Sequence, residues 1–99
     1  MQKFDIFRID DGLYLVVQED HLLELNTVVL VPLIPTGAVA GMTQLTVPVA
    51  VGEDTYRILC HMPLTVGARR LRMLRPVHHL SSEEGQAVMD GLNTILWGF

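Results

Sequence analysis

Charge is scarce in this chain: only 18% of its 99 residues are Asp, Glu, Lys or Arg, against about a quarter in an ordinary domain. Its net charge of −4 makes it a poor binder, as a whole, of nucleic acid or anionic lipid. A single cysteine, Cys60, permits no internal disulfide, which agrees with a reducing interior. Long apolar runs are missing as well. The longest, from Val28 to Ile34, already contains Pro32, whereas a membrane span needs about 20 residues. Met1-Gln2-Lys3-Phe4-Asp5 leads straight into alternating sequence with no apolar signal segment. The cytoplasm is therefore the expected compartment. No glycine-rich loop that would cradle a phosphate is visible, and neither are repeats or low-complexity segments.

Apolar side chains, by contrast, are abundant, at 49% of the chain. Disorder is excluded, and 99 residues make one domain, 1–99. A domain this small buries only about two-thirds of its unfolded surface. So much apolar side chain with so little charge leaves apolar area outside, and a homodimer is the expected remedy.

Up to about residue 75 the dominant period is two. Phe4 and Ile6 alternate ahead of Asp10-Asp11-Gly12, and Leu13 to Gln18 follows as a second strand. This predicts an N-terminal hairpin, with Asp11-Gly12 supplying positive φ angles. Leu25 to Leu33 reads as a strand buried on both faces or pressed against another chain, and ended by Pro32 and Pro35. Thr36 to Gly41 reads as a loop. Thr46 to Val51 and Thr55 to His61 form a second predicted hairpin through Gly52-Glu53-Asp54, and Pro48 makes its first strand an edge or a bulge. Ser81-Ser82-Glu83-Glu84 then fits a capping box, with Ser81 as N-cap. Val88, Leu92, Ile95 and Phe99 recur at helical spacing behind it, although Gly85 and Gly91 each weaken a helix by about 1 kcal/mol. Strands followed by one terminal helix predict a small antiparallel barrel or α+β fold.

Chemistry-bearing residues are thinly spread. His21, His61, His78, His79 and Cys60 have no zinc-type spacing, so no metal or other cofactor is expected. Cys60-His61 are neighbours that a strand would separate across the sheet, and the carboxylates sit mostly in turns and the helix cap. The expectation is therefore a protein that is not an enzyme. Arg69, Arg70, Arg72 and Arg75 hold four of the seven basic residues, leaving three basic and eleven acidic elsewhere. Such a cluster is a solvated face, or else a contact for an acidic protein partner or for an RNA backbone, the last disfavoured by the lack of nearby aromatics. Leu96-Trp97-Gly98-Phe99 ends the chain on its only tryptophan, which must pack on the domain or be offered to a partner. Phe99 continues the core stripe and Trp97 falls off it.

These pieces, in this order, resemble the CcdB family of toxins from plasmid-type toxin–antitoxin pairs. The resemblance is carried by Met1-Gln2, Val17-Gln18-Glu19-Asp20, Val31-Pro32-Leu33, Pro48-Val49, Gly52-Glu53-Asp54-Thr55-Tyr56-Arg57, Pro76-Val77, Leu80-Ser81, Leu92-Asn93 and Trp97-Gly98. It implies a mainly β (α+β) fold, a small SH3-like antiparallel β-barrel with a C-terminal α-helix, assembled as a homodimer. It also implies a non-enzymatic poison that binds the A subunit of DNA gyrase and traps its cleaved-DNA complex. Carried over, the gyrase contacts would be Trp97, Gly98 and Phe99, with Asn93 a turn earlier and His21-Leu22 in place of a short aliphatic pair. A cognate CcdA-like antitoxin would neutralise the toxin, and operator DNA would be met only through it. Arg69, Arg70 and Arg72 match no family feature and are assigned to that antitoxin's acidic tail. Two alternatives stay open, an endoribonuclease toxin on the same fold and a non-toxic CcdB-like binding module.

Overall fold

Strand-forming sequence dominates the first two-thirds of the chain, and a computed structural model, which describes residues 1–38 and 46–98, gathers it into one antiparallel sheet. The strands are β1 (Asp5–Ile9), β2 (Gly12–Val16), β3 (Thr27–Pro35), β4 (Thr46–Val51), β5 (Asp54–Leu59), β6 (Leu64–Gly67) and β7 (His78–His79). Their order is β4-β5-β3-β2-β1-β7, with β6 also paired to β3. Among the described residues there are also two α-helices, the short α1 (Ala68–Arg72) and the long α2 (Ser82–Trp97). The result is a curled half-barrel with a C-terminal helix, as the family resemblance implied.

β3 is the spine. Its first half pairs with β6 through Thr27 to Leu30, and its end pairs with β5 through Leu33 to Pro35. Pro32 does not end the strand but lies within it, opposite Tyr14 of β2. The register explains the tolerance. The Val17 N–H donates to the Val29 carbonyl at 3.2 Å, so Val29, Val31 and Leu33 turn their backbone groups toward β2. The ring nitrogen of Pro32 then faces the other side, at the fork where β6 has ended and β5 has not begun. No ladder hydrogen bond is lost there.

Alternation along the strands splits the core in two. On one face Ile6, Leu13, Leu15, Val31, Leu33, Val47 and Ile58 lie with Leu80 and Val88, beneath α2. On the other face Phe7, Val16, Val28 and Leu30 meet Ala68 and Leu71 of α1. The long apolar strand is thus buried from both sides, as its composition predicts.

The turns refine the sequence reading. In the first hairpin the positive φ falls on Asp10, at 53°, while Gly12 opens β2 opposite Ile9. Asp is among the residues that accept this conformation at least strain. In the second hairpin Val51 faces Asp54 across a Gly52-Glu53 turn, and Pro48 sits on β4, an edge strand. The capping box forms as predicted: the Glu84 N–H donates to Ser81 Oγ at 3.2 Å, and the Ser81 N–H to Glu84 Oε1 at 2.9 Å. Gly85 is required by close approach, since a Cβ there would stand 2.6 Å from Cε2 of Phe4. No helix among the described residues is long and apolar enough to cross a membrane.

Candidate functional site

Three surfaces bring chemistry-bearing residues together. The first is the far end of α2. Val88 is buried and Leu92 half-buried, but the helix then leaves the body, and Ile95, Leu96 and Trp97 are 36%, 67% and 68% exposed. Asn93 and Trp97 line one shallow groove with Asp90 and Thr94. Gly98 ends the helix in the left-handed region, at φ 77°, with its N–H donated to the Thr94 carbonyl at 2.9 Å. A glycine is the residue for this position, and it turns the chain away just after Trp97. Phe99 lies outside the described residues.

His21 and Leu22 stand elsewhere, in a single 3₁₀ turn between β2 and β3, both exposed. The structure ties this turn to the arginine cluster. Arg72 of α1 donates to the Leu23 and Leu25 carbonyls, each at 2.9 Å, so it is a structural clamp. Arg70 pairs with Asp10 at 2.7 Å, with both side chains mostly in water. Arg69 and Arg75 make no ion pair among the described residues. Met73, 81% exposed, and Leu74 and Val77, partly exposed, follow directly after α1.

The third surface is a pairing that sequence reasoning missed. Asp5, at the start of β1, is buried at 5% exposure and lies opposite His79 of β7. Its Oδ1 is 2.8 Å from His79 Nδ1, and its Oδ2 accepts the Gln2 N–H at 2.8 Å. A carboxylate only accepts, so Nδ1 carries the proton and Nε2 is left as the basic nitrogen. This is the arrangement of an oriented general base. A groove of about 290 Å³ runs beside it, lined by Lys3, Phe4, His79, Ser82, Gln86 and Met89. Phe4 in that wall has a φ of 74°, a conformation that costs a bulky residue about 1–2 kcal/mol. It is held by Phe4 N–H to Val16 carbonyl and Leu80 N–H to Phe4 carbonyl bonds of 2.8 and 3.1 Å. Lys3 spans Glu19 and the face of Phe4, 5.0 Å from the ring centre. Asp5 and His79 are separated by 73 intervening positions, so only strand pairing joins them; the one local signal is an Asp at the head of a strand rather than in a turn.

Cys60 is unsuited to nucleophilic work. It lies fully buried beneath Gly91 of α2, and burial pushes its thiol up to about 11. No group of three His, Cys, Asp or Glu side chains that could hold a metal ion occurs among the described residues.

The family model for CcdB protein matches residues 3–98, nearly the whole chain. The chain belongs to the CcdB family. That places it on the toxin side of toxin–antitoxin pairs. No curated protein matches it. Among solved structures, an endoribonuclease from a mycobacterial species aligns with a TM-score of 0.78 at 17% identity, over 97% of this chain and 90% of that one. A mycobacterial endoribonuclease in complex with its cognate antitoxin gives 0.77 at 16%, over 97% and 94%. A MazE–MazF structure from Deinococcus radiodurans gives 0.73 at 14%, over 97% and 95%. At these identities the likeness is one of fold.

It nevertheless corrects one expectation. With no catalytic constellation visible in it, the sequence predicts a protein that is not an enzyme. This CcdB-family chain shares its fold with endoribonucleases, so the inference from missing motifs does not stand. The physical reason is that strand pairing can bring titratable side chains far apart in sequence into contact, as with Asp5 and His79, so missing local motifs exclude nothing.

Proposed function

We propose that this chain is a toxin that acts as a homodimer, docks the tips of its α2 helices on the A subunit of DNA gyrase, and holds that enzyme in its cleaved-DNA state. The observation that carries the reading is the apolar helix tip, where Trp97 stands 68% exposed on a helix whose other end is firmly capped. An exposed indole on a rigid element suits a cationic or apolar pocket in a partner, and Trp is enriched among binding hot spots. Gly98 would let the chain end lie flat against the target, and Asn93 would flank the ring. His21 and Leu22, on their separate turn, would form a second contact patch. The exposed Ile95 and Leu96 beside the tip supply apolar area that a second copy would cover. A cognate CcdA-like antitoxin would neutralise the toxin, with the basic α1 end as its landing surface.

Expression of the full chain, of Trp97→Ala and of a chain lacking residues 97–99 tests this. Killing with gyrase-linked DNA breaks is expected only from the full chain. Killing that survives both changes overturns the gyrase reading, and a full chain that never kills points to a binding module without toxicity.

A second reading, cleavage of RNA, is favoured by the fold shared with endoribonucleases and by the oriented His79 ring. RNA fragmentation in the same cells, lost with His79→Ala and kept with Trp97→Ala, is its expected signature. Intact RNA during killing would sink it.

A further inference from the structure

The groove beside His79 holds more than an oriented imidazole. His79, Phe4, Gln86 and Met89 line one space of about 290 Å³, close to the lower bound of about 300 Å³ for small-molecule sites. That is room for a single nucleotide. The Nε2 atom of His79 has no hydrogen-bond partner among the described residues, while Asp5, buried at 5% exposure, fixes Nδ1. Gln86 is fixed as well. Its Nε2 donates one hydrogen to Asp90 Oδ1 at 2.9 Å, which leaves one N–H and the amide oxygen for a partner. Phe4 and Met89 add an aromatic edge and a polarisable thioether, both suited to a flat ring. The φ of 74° at Phe4 is strain that its surroundings impose, and such strain gathers where a wall is held ready for a ligand. The lysine in this lining, Lys3, is already paired with Glu19 and offers no spare charge.

We propose that this groove takes the base of one unpaired adenosine in RNA, and that His79 cleaves the strand on the 3′ side of that nucleoside. The proposal rests on the RNA-cleavage reading and adds to it the nucleotide recognised, the residue that reads it and the ends produced. One donor beside one acceptor on the Gln86 amide matches the N6 and N7 edge of adenine, a pairing that glutamine makes with two hydrogen bonds. Single strands are selected, because a base enters the groove only when it is splayed out of a stack. Ribose is selected, because its 2′-hydroxyl brings Nε2 a proton to take. In the step, that proton moves to His79 Nε2, the 2′-oxygen bonds to phosphorus, and the bond from phosphorus to the 5′-oxygen breaks. The leaving 5′-oxygen takes a proton from solvent, and His79 returns its own. The ends are a 2′,3′-cyclic phosphate and a 5′-hydroxyl. With no spare cation in the lining, affinity comes from the base rather than from the phosphates, in keeping with a chain of net charge −4.

The probes are short single strands of uridine RNA with a central adenosine or a central guanosine. Each is also made with a 2′-deoxy sugar at the central position, so that binding is read without cleavage. The full chain should cut the adenosine strand just 3′ of the adenosine and leave its deoxy form whole. By fluorescence anisotropy, the deoxyadenosine strand should bind about tenfold more tightly than the deoxyguanosine strand. Against log salt, its log affinity should fall with a slope no steeper than about −1. Gln86→Ala changes an exposed side chain and should erase the preference for adenine with melting temperature unchanged. His79→Ala should slow cutting by about 10²-fold or more and leave binding of the deoxyadenosine strand as it was.

Equal cutting of the adenosine and guanosine strands, or a preference that Gln86→Ala leaves intact, overturns the proposal while RNA cleavage itself survives. So does a salt slope of about −3 or steeper, the mark of binding through the phosphates. Cutting of the deoxy strand removes the 2′-hydroxyl from the reaction, and undiminished cutting by His79→Ala removes His79; either result overturns the step. If the full chain cuts no strand, this proposal and the RNA reading fall together.

Discussion

The helices α1 and α2 are held to the same sheet in opposite ways. α2 runs 16 residues, begins with a complete capping box and carries Glu83 and Glu84 in its first turn, where the helix dipole favours them. α1 has five residues, no side-chain cap, and three arginines. Too short to stand on local interactions, it depends on burial of Ala68 and Leu71 and on the clamp from Arg72 to Leu23 and Leu25. The contrast separates two duties. α2 is secured at its N-terminal half, which frees its apolar tip, whereas α1 is secured by its underside, which frees a basic face.

The largest effect should come from the helix that depends on burial. Leu71→Ala removes a side chain that is 1% exposed, and a loss of about 3 kcal/mol in denaturant unfolding is expected. Next comes the free tip: if the proposed gyrase contact holds, Trp97→Ala weakens it by at least about 2 kcal/mol, roughly thirtyfold, while stability stays unchanged. Calorimetry of the complex beside thermal melting reads both. A third change attacks the seat of α2. Gly85→Ala would push a Cβ into the Phe4 ring, and the overpacking, partly offset by helix propensity, should destabilise by about 1–2 kcal/mol. Ser81→Ala, which removes only the cap, should cost about 1 kcal/mol. If the cap change proved larger than Leu71→Ala, the contrast between the helices would be reversed.

How far the sequence shows these features depends on how local they are. The capping box, the hairpin at Gly52-Glu53 and the edge position of Pro48 each rest on a few adjacent residues, and each was legible. α1 was visible only as a run of charge, because five residues carry no period. Pro32 reads locally as a stop, since the fork that excuses it involves β5 and β6, which lie 22 or more positions away. Arg72 resembles its neighbours in sign alone, and only the fold shows it bound to carbonyls. The Asp5–His79 couple was out of reach for the same reason: each half looks ordinary until β1 and β7 pair. The exposure of Trp97 follows from its place off the apolar stripe, which sequence periodicity does reveal.

The fork at Pro32 also bears on how the sheet opens. Because β3 has neighbours on both sides along most of its length, its amides should exchange with solvent only when the whole molecule unfolds. Pro32 contributes no amide, so protection along β3 should read as two blocks, 28–31 and 33–34, divided by a silent position. β7, held by two residue pairs, should exchange early. Local opening there would release His79 from Asp5 while the spine stays shut.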